Sequence, residues 1–212
     1  MGLVLGLCGN EIEELSMKII EDELGETSFS KKELAIVKRV IHATADFDFA
    51  KNIRFHKDAI KRGIDALKSG RPIITDTKMA ASGISWTLLK NGKSQIITPI
   101  SFKECKSLAQ EKRGTLSEAA MELAAKFSPG IIVIGNAPTA LIKVIELIKR
   151  GILCPDVVIG VPVGFVNAKE SKDELLKQDL VPYITTIGRK GGTPVAVAIV
   201  NALIRLMHSI DE

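Results

Sequence analysis

Ile131-Ile132-Val133-Ile134, running straight into Gly135-Asn136-Ala137-Pro138-Thr139, is the stretch on which the fold depends. A run that is apolar at every position reads as a strand buried on both faces, the pattern of a parallel sheet. The turn after such a strand lies at the carboxyl edge of the sheet, where open α/β sheets bind their ligands. Other apolar runs of the chain also end in turns of glycine, proline or small polar residues. The sharpest of these is Gly188-Arg189-Lys190-Gly191-Gly192-Thr193.

Outward from that stretch, strands at 72–75, 95–98, 131–134, 157–159 and 183–187 alternate with helices at 79–90, 116–127, 139–150, 172–177 and 194–208. Five strands joined by helical crossovers predict a parallel sheet in a three-layer α/β/α arrangement, with the flavodoxin-like strand order 2-1-3-4-5 taken by analogy. Three further helices, at 11–24, 31–42 and 57–68, come before the sheet and must pack on it or beside it. Helix starts are written into the sequence as a side-chain oxygen followed three residues later by an acid: Asn10 and Glu13, Ser30 and Glu33, Thr115 and Glu118, Ser171 and Glu174. The second helix carries Leu34, Val37 and Ile41 as its inward stripe.

With 212 residues, 46% apolar and 25% charged, the chain can bury one sizeable core and is too short to need two, so a single domain over 1–212 is expected. The 29 basic and 25 acidic residues give a net charge of +4, and aromatics make up only 4%. The basic side chains are scattered along helices instead of being interleaved with aromatics, which argues against a nucleic-acid partner and for an anionic small molecule. Cys8, Cys105 and Cys154 have no metal-ligand spacing and are odd in number. They read as reduced, mostly buried thiols of a cytoplasmic protein, with no metal site. The apolar lead up to Cys8 has no basic residue and is too short for a signal peptide. No run approaches the roughly 18 apolar residues of a membrane helix.

If the strands are parallel, Asp76-Thr77-Lys78, Pro99-Ile100-Ser101 and the segments 135–139, 160–167 and 188–193 converge on one rim. Glycines let backbone amides approach a ligand there, and helix starts near Pro138 and Thr193 offer unpaired N–H groups, both suited to carboxylate or phosphate. Each piece also has a plain structural reading. The 188–192 turn matches neither the dinucleotide fingerprint nor the Walker pattern. Asn136 as a cap and Pro138 as a first-turn residue need no ligand, and Asp76 and Lys78 read equally as a solvated strand end. His42 stands at the carboxyl end of its helix, just before Asp46. Both neighbours favour an imidazolium able to donate a proton, though a capping histidine fits the segment as well.

Five motifs taken together change this balance: Arg39-Val40-Ile41-His42-Ala43-Thr44-Ala45-Asp46-Phe47-Asp48, Thr75-Asp76-Thr77-Lys78-Met79, Val133 to Leu141, Gly164-Phe165-Val166-Asn167-Ala168-Lys169-Glu170-Ser171-Lys172, and Gly188-Arg189-Lys190-Gly191-Gly192. In this order they resemble the precorrin-8X methylmutase family, including its cobalt-precorrin-8 members, over about residues 10 to 206. The resemblance implies a cofactor-free isomerase of cobalamin biosynthesis. It would move a methyl group from ring carbon 11 to carbon 12 of a corrin precursor by a 1,5-sigmatropic shift, giving hydrogenobyrinate or cobyrinate. It also implies a flavodoxin-like homodimer with its site near the subunit boundary, and makes His42 the catalytic residue that protonates or hydrogen-bonds a ring nitrogen.

The tetrapyrrole substrate carries acetate and propionate arms around a flat apolar ring. On the same resemblance Arg189 and Lys190 are candidate anchors for those carboxylates. Asp76, Lys78, Gly135, Asn136, Thr139, Gly188, Gly191 and Gly192 are candidate contacts on the rim, and Ser16 matches a position near the ligand. The chain departs from the family pattern at Leu116, where an arginine is often found, and at Trp86. A corrinoid carrier without catalysis is the alternative from another class, and a nucleotide- or phosphate-binding protein is a third reading that rests on the glycine turns alone.

Overall fold

In the computed structural model, which describes residue 6, residues 8–85, residue 89 and residues 94–209, six strands form one sheet. They are β1 (Ile53–Phe55), β2 (Ile73–Thr75), β3 (Ile96–Ile97), β4 (Ile131–Ile134), β5 (Val157–Gly160) and β6 (Tyr183–Thr186), in the order β1-β6-β5-β4-β2-β3. The five strands from β2 to β6 pair in parallel. Numbered among themselves they stand in the order 2-1-3-4-5, as expected. The sixth strand corrects the predicted count of five: β1 runs antiparallel along β6, with Ile53 opposite Thr186 and Phe55 opposite Ile184. This short strand covers what would otherwise be an open edge.

The all-apolar strands divide their side chains between two cores. Ile131 and Val133 of β4 and Val157 and Ile159 of β5 face one layer, while Ile132, Ile134 and Val158 face the other. This alternation across a sheet buried on both sides is why no polar residue interrupts those runs. The first layer contains α2 (Lys31–Thr44), α4 (Ala59–Lys68), α5 (Lys78–Gly83) and α10 (Thr193–Ser209), with α1 (Gly9–Leu24) packed on α2 and the short α3 (Asp48–Asn52) following it. The second contains α6 (Lys103–Glu111), α7 (Leu116–Ala124), α8 (Pro138–Lys149) and α9 (Ala168–Lys177).

Two of the four predicted helix starts hold. Ser30 and Thr115 accept from the amides of Glu33 and Glu118, whose carboxylates bond back to the cap residues. The other two move. Helix α1 begins at Gly9, with the Cys8 amide donating to Glu11, so Asn10 lies inside it. Helix α9 begins at Ala168 and holds Ser171 in its interior, the hydroxyl donating to the Ala168 carbonyl. The helix expected over 79–90 closes at Gly83 as α5, and Trp86 lies outside the described residues. Helix α6 was not expected. Its buried side chains are the small Cys105 and Ala109, too weak an apolar stripe to stand out. The other two cysteines, Cys8 and Cys154, are exposed, which corrects the expectation of mostly buried thiols. Among the described residues no helix is long and apolar enough to cross a membrane.

Candidate active site

Helix α2 presents His42 in its last turn. The helix is started by the Ser30 capping box and stopped by Ala45, which takes the left-handed conformation at φ 52°. His42 is exposed, and its Nδ1 lies 2.9 Å from the Ser16 hydroxyl on α1. Both residues were singled out from the sequence, 26 positions apart. The imidazole stands in the wall of a cleft of about 420 Å³ between α2 and α10, lined by the apolar Ala43, Pro194, Val197 and Ala198 and by the polar Arg39, Ser85, Asn201 and Arg205. Asn201 ties the end of α5 to α10, accepting from the Ser85 amide at 2.9 Å and donating to the Gly83 carbonyl at 3.1 Å.

Asp46, the carboxylate expected to favour an imidazolium at His42, is engaged elsewhere. Asp46 Oδ2 accepts from Lys190 Nζ at 2.6 Å and Oδ1 from the Asp48 amide at 3.0 Å. Glu13 on α1 has its carboxyl held below its usual range first by its hydrogen bond from Arg39, with the fields of Arg39, Arg205 and His42 adding.

Lys190 is thereby the link between the glycine loop and the end of the helix that carries His42. Its ammonium bonds both Asp46 and Asp48, the latter at 2.8 Å. Its carbonyl accepts from Lys172 Nζ at 2.7 Å and from the Thr186 hydroxyl at 2.9 Å. Lys172 is fully buried, and burial pulls its ammonium down to about 8. The first turn of α10, through Pro194, brings this loop to the edge of the cleft.

The rim amides are largely occupied by the protein itself. Asp76, 1% exposed, accepts at Oδ2 from the amides of Asn136 at 2.7 Å and Ala137 at 3.0 Å. It is a buried brace for the 135–138 turn, not a solvated strand end, and burial raises its carboxyl above the ordinary range against those hydrogen bonds. The Gly192 amide donates to the Val161 carbonyl at 2.8 Å. Gly191 allows the two loops to touch, since a Cβ there would lie 2.3 Å from the Val161 oxygen. Gly135 does the same for α10, where a Cβ would meet the Thr193 Cα at 2.8 Å.

Gly188 and Gly192 take positive φ, 74° and 120°. Thr139 faces the second layer, its hydroxyl 3.3 Å from that of Thr115. Lys78 is exposed at the start of α5, Asn136 is exposed on its turn, and Arg189 lies over the ring of Phe165 at 5.4 Å. The structure thus sets Ser16 against His42, which lines the cleft, with Lys190 bracing its helix, and leaves Asp76, Lys78, Thr139 and the residues of the two glycine turns outside that lining. Sequence reasoning passed over Arg39, Ser85, Asn201 and Arg205. The 3.6-residue spacing of Pro194, Val197, Ala198, Asn201 and Arg205 along α10 was the signal that could have found that wall.

A family model described as Precorrin-8X methylmutase matches residues 11–206. The chain is 43% identical to a cobalt-precorrin-8 methylmutase of Leptospira interrogans, over 96% of each chain. It is also 43% identical to one from Priestia megaterium, over 94% of this chain and 88% of that one. Its fold superposes on a solved precorrin-8X methyl mutase from Thermus thermophilus with a TM-score of 0.86 at 37% identity, covering 93% of this chain and 98% of the other. The chain therefore belongs to the precorrin-8X methylmutase family, the isomerases of cobalamin biosynthesis.

Proposed function

We propose that this protein moves the methyl group of cobalt-precorrin-8 from ring carbon 11 to carbon 12, with His42 as the catalytic residue. The carbon–methyl bond at 11 breaks as the bond at 12 forms. No electron, water or co-reactant enters or leaves, so the ring system itself carries the electronic change. The protein's task is to bind the conjugated ring and polarise it in the geometry of migration. The observation that carries this reading is His42 standing in a largely apolar cleft with Nδ1 fixed by Ser16 at 2.9 Å. With Nδ1 engaged, Nε2 is the nitrogen left to donate to a ring nitrogen, and the Ser16 contact selects the ring's orientation.

The cobalt form is preferred because the Leptospira and Priestia relatives are both named cobalt-precorrin-8 methylmutases. A cleft of about 420 Å³ sits low in the range of small-molecule sites, about 300–1,000 Å³. It takes one edge of a flat macrocycle with acidic arms and leaves the rest to be covered. A homodimer would cover it: Met79, Leu116, Val163, Phe165 and Val166 are exposed apolar residues on the loops and helix starts of the rim, and large exposed apolar groups gathered together mark interaction sites. A cytoplasmic setting suits the three free thiols.

Purified protein mixed with cobalt-precorrin-8 under anaerobic conditions, with no added metal or nucleotide, tests the reading. Migration changes the conjugation of the ring, so the visible spectrum shifts to that of cobyrinate at constant mass. Unchanged bands with bound ligand would instead favour a carrier.

A further inference from the structure

Two guanidinium groups share one carboxylate in the wall of the His42 cleft. Glu13 Oε1 lies 2.7 Å from Arg39 Nη2 and 3.4 Å from Arg205 Nη2, and both arginines line the cleft. Two cations against one anion leave a net positive charge there, further along the wall that holds the apolar Pro194, Val197 and Ala198. Each guanidinium presents five donors in a planar fork that matches a carboxylate in bidentate fashion. Both ion pairs run to a single oxygen of Glu13, so most of that donor capacity is unspent among the described residues. The Arg39 side chain is only 22% exposed, so a charge partly withdrawn from water shares its one carboxylate with Arg205. A wall of this kind is incomplete until a second carboxylate arrives.

We propose that Arg39 and Arg205 form the subsite for one acidic arm of the macrocycle, with Glu13 as the resident carboxylate that competes for the pair. This rests on the corrin reading of the same cleft and adds its orientation. An arm held at Arg39, three residues before His42 on α2, fixes which edge of the ring faces the imidazole. The apolar body of the ring lies along α10. Glu13 keeps the two forks aligned while the site is empty.

The test is equilibrium binding of cobyrinate and of its fully methyl-esterified form to the intact protein and to Arg39→Met, Arg205→Met and Glu13→Gln, with the fold of each checked by circular dichroism and thermal melting. Arg205→Met is the variant least exposed to folding failure, since that side chain is 44% exposed. Each arginine variant is expected to weaken cobyrinate binding about tenfold, the loss of one charge-assisted contact, and to leave the ester unaffected. Glu13→Gln is expected to tighten cobyrinate binding a few-fold, because it removes the competing anion. Unchanged affinity in both arginine variants, or weaker binding in Glu13→Gln, overturns the subsite while leaving the corrin reading intact. Failure of the unaltered protein to bind either ligand overturns both.

Discussion

The Ser16 hydroxyl lies 2.9 Å from Nδ1 of His42, joining helix α1 to the last turn of helix α2 at the mouth of the cleft. The contact fixes the rotation of an exposed imidazole that the Asp46 carboxylate does not reach. Ser16→Ala should lower the turnover number about three- to tenfold with little change in KM, since it leaves the cleft walls in place and frees only the ring. Steady-state kinetics followed by the visible spectrum decides this, and an unchanged turnover number would remove Ser16 from the mechanism.

Asp76 makes a separate prediction through the 135–138 turn. Its Oδ2 is the acceptor for the amides of Asn136 and Ala137, and its carboxyl is raised by burial. Asp76→Asn keeps an acceptor oxygen without a buried charge and should retain near-native stability at neutral pH. Asp76→Ala strands two amides and should cost about 3 kcal/mol in urea denaturation. A group raised in the folded state contributes stability that fades as pH rises through its folded value. The gap between native protein and Asp76→Asn should therefore shift toward the variant as pH rises above the ordinary carboxylate value.

Lys172 carries the opposite sign. Burial lowers its ammonium from the 10.5 of a free lysine to about 8. Between those values the folded chain binds fewer protons than the unfolded chain, so its contribution to stability grows as pH climbs through that window and is flat on either side. The full rise has a ceiling of about 3 kcal/mol. Denaturation midpoints of native protein and Lys172→Met at pH about 7 and about 10 measure it. The native protein should gain relative to the variant at the higher pH, and parallel curves would contradict the assignment.

Gly191→Ala probes how tightly the two rim loops are bound. The added Cβ would lie 2.3 Å from the Val161 carbonyl oxygen, a backbone atom of the residue that directly follows β5. The loop carrying Lys190 must then shift, with a stability loss of about 2 kcal/mol and a weakened hold of Lys190 on Asp46 and Asp48. Thermal melting and turnover should fall together, and a native melting temperature would show that the loop yields freely.

Much of this was legible from residues with strong local signals. Ile131 to Ile134 announced a doubly buried strand because every position faces a core. Ser30 and Thr115 announced helix starts because their oxygens have no better use than the free amides. His42 stood out by its place at a helix end. Long-range contacts were not legible. Strand β1 is three residues long and gains its identity only from β6. Asp46 chose Lys190, 144 residues away, over the nearby imidazole. The glycine loops read as open anion cradles, yet the Gly192 amide goes to Val161 and those of Asn136 and Ala137 to Asp76, pairings that exist only once the sheet is assembled. Arg39 and Arg205 lie on helices far apart in sequence, and they meet at Glu13 only once α10 has packed on α2.

The central claim is that His42 polarises the ring during migration, and turnover of cobalt-precorrin-8 by His42→Ala beside equilibrium binding of cobyrinate tests it most directly. Loss of a positioned acid should reduce turnover by about a hundredfold or more, with affinity for cobyrinate within a few-fold of native. A variant that binds the product and still converts substrate at the native rate would contradict the account.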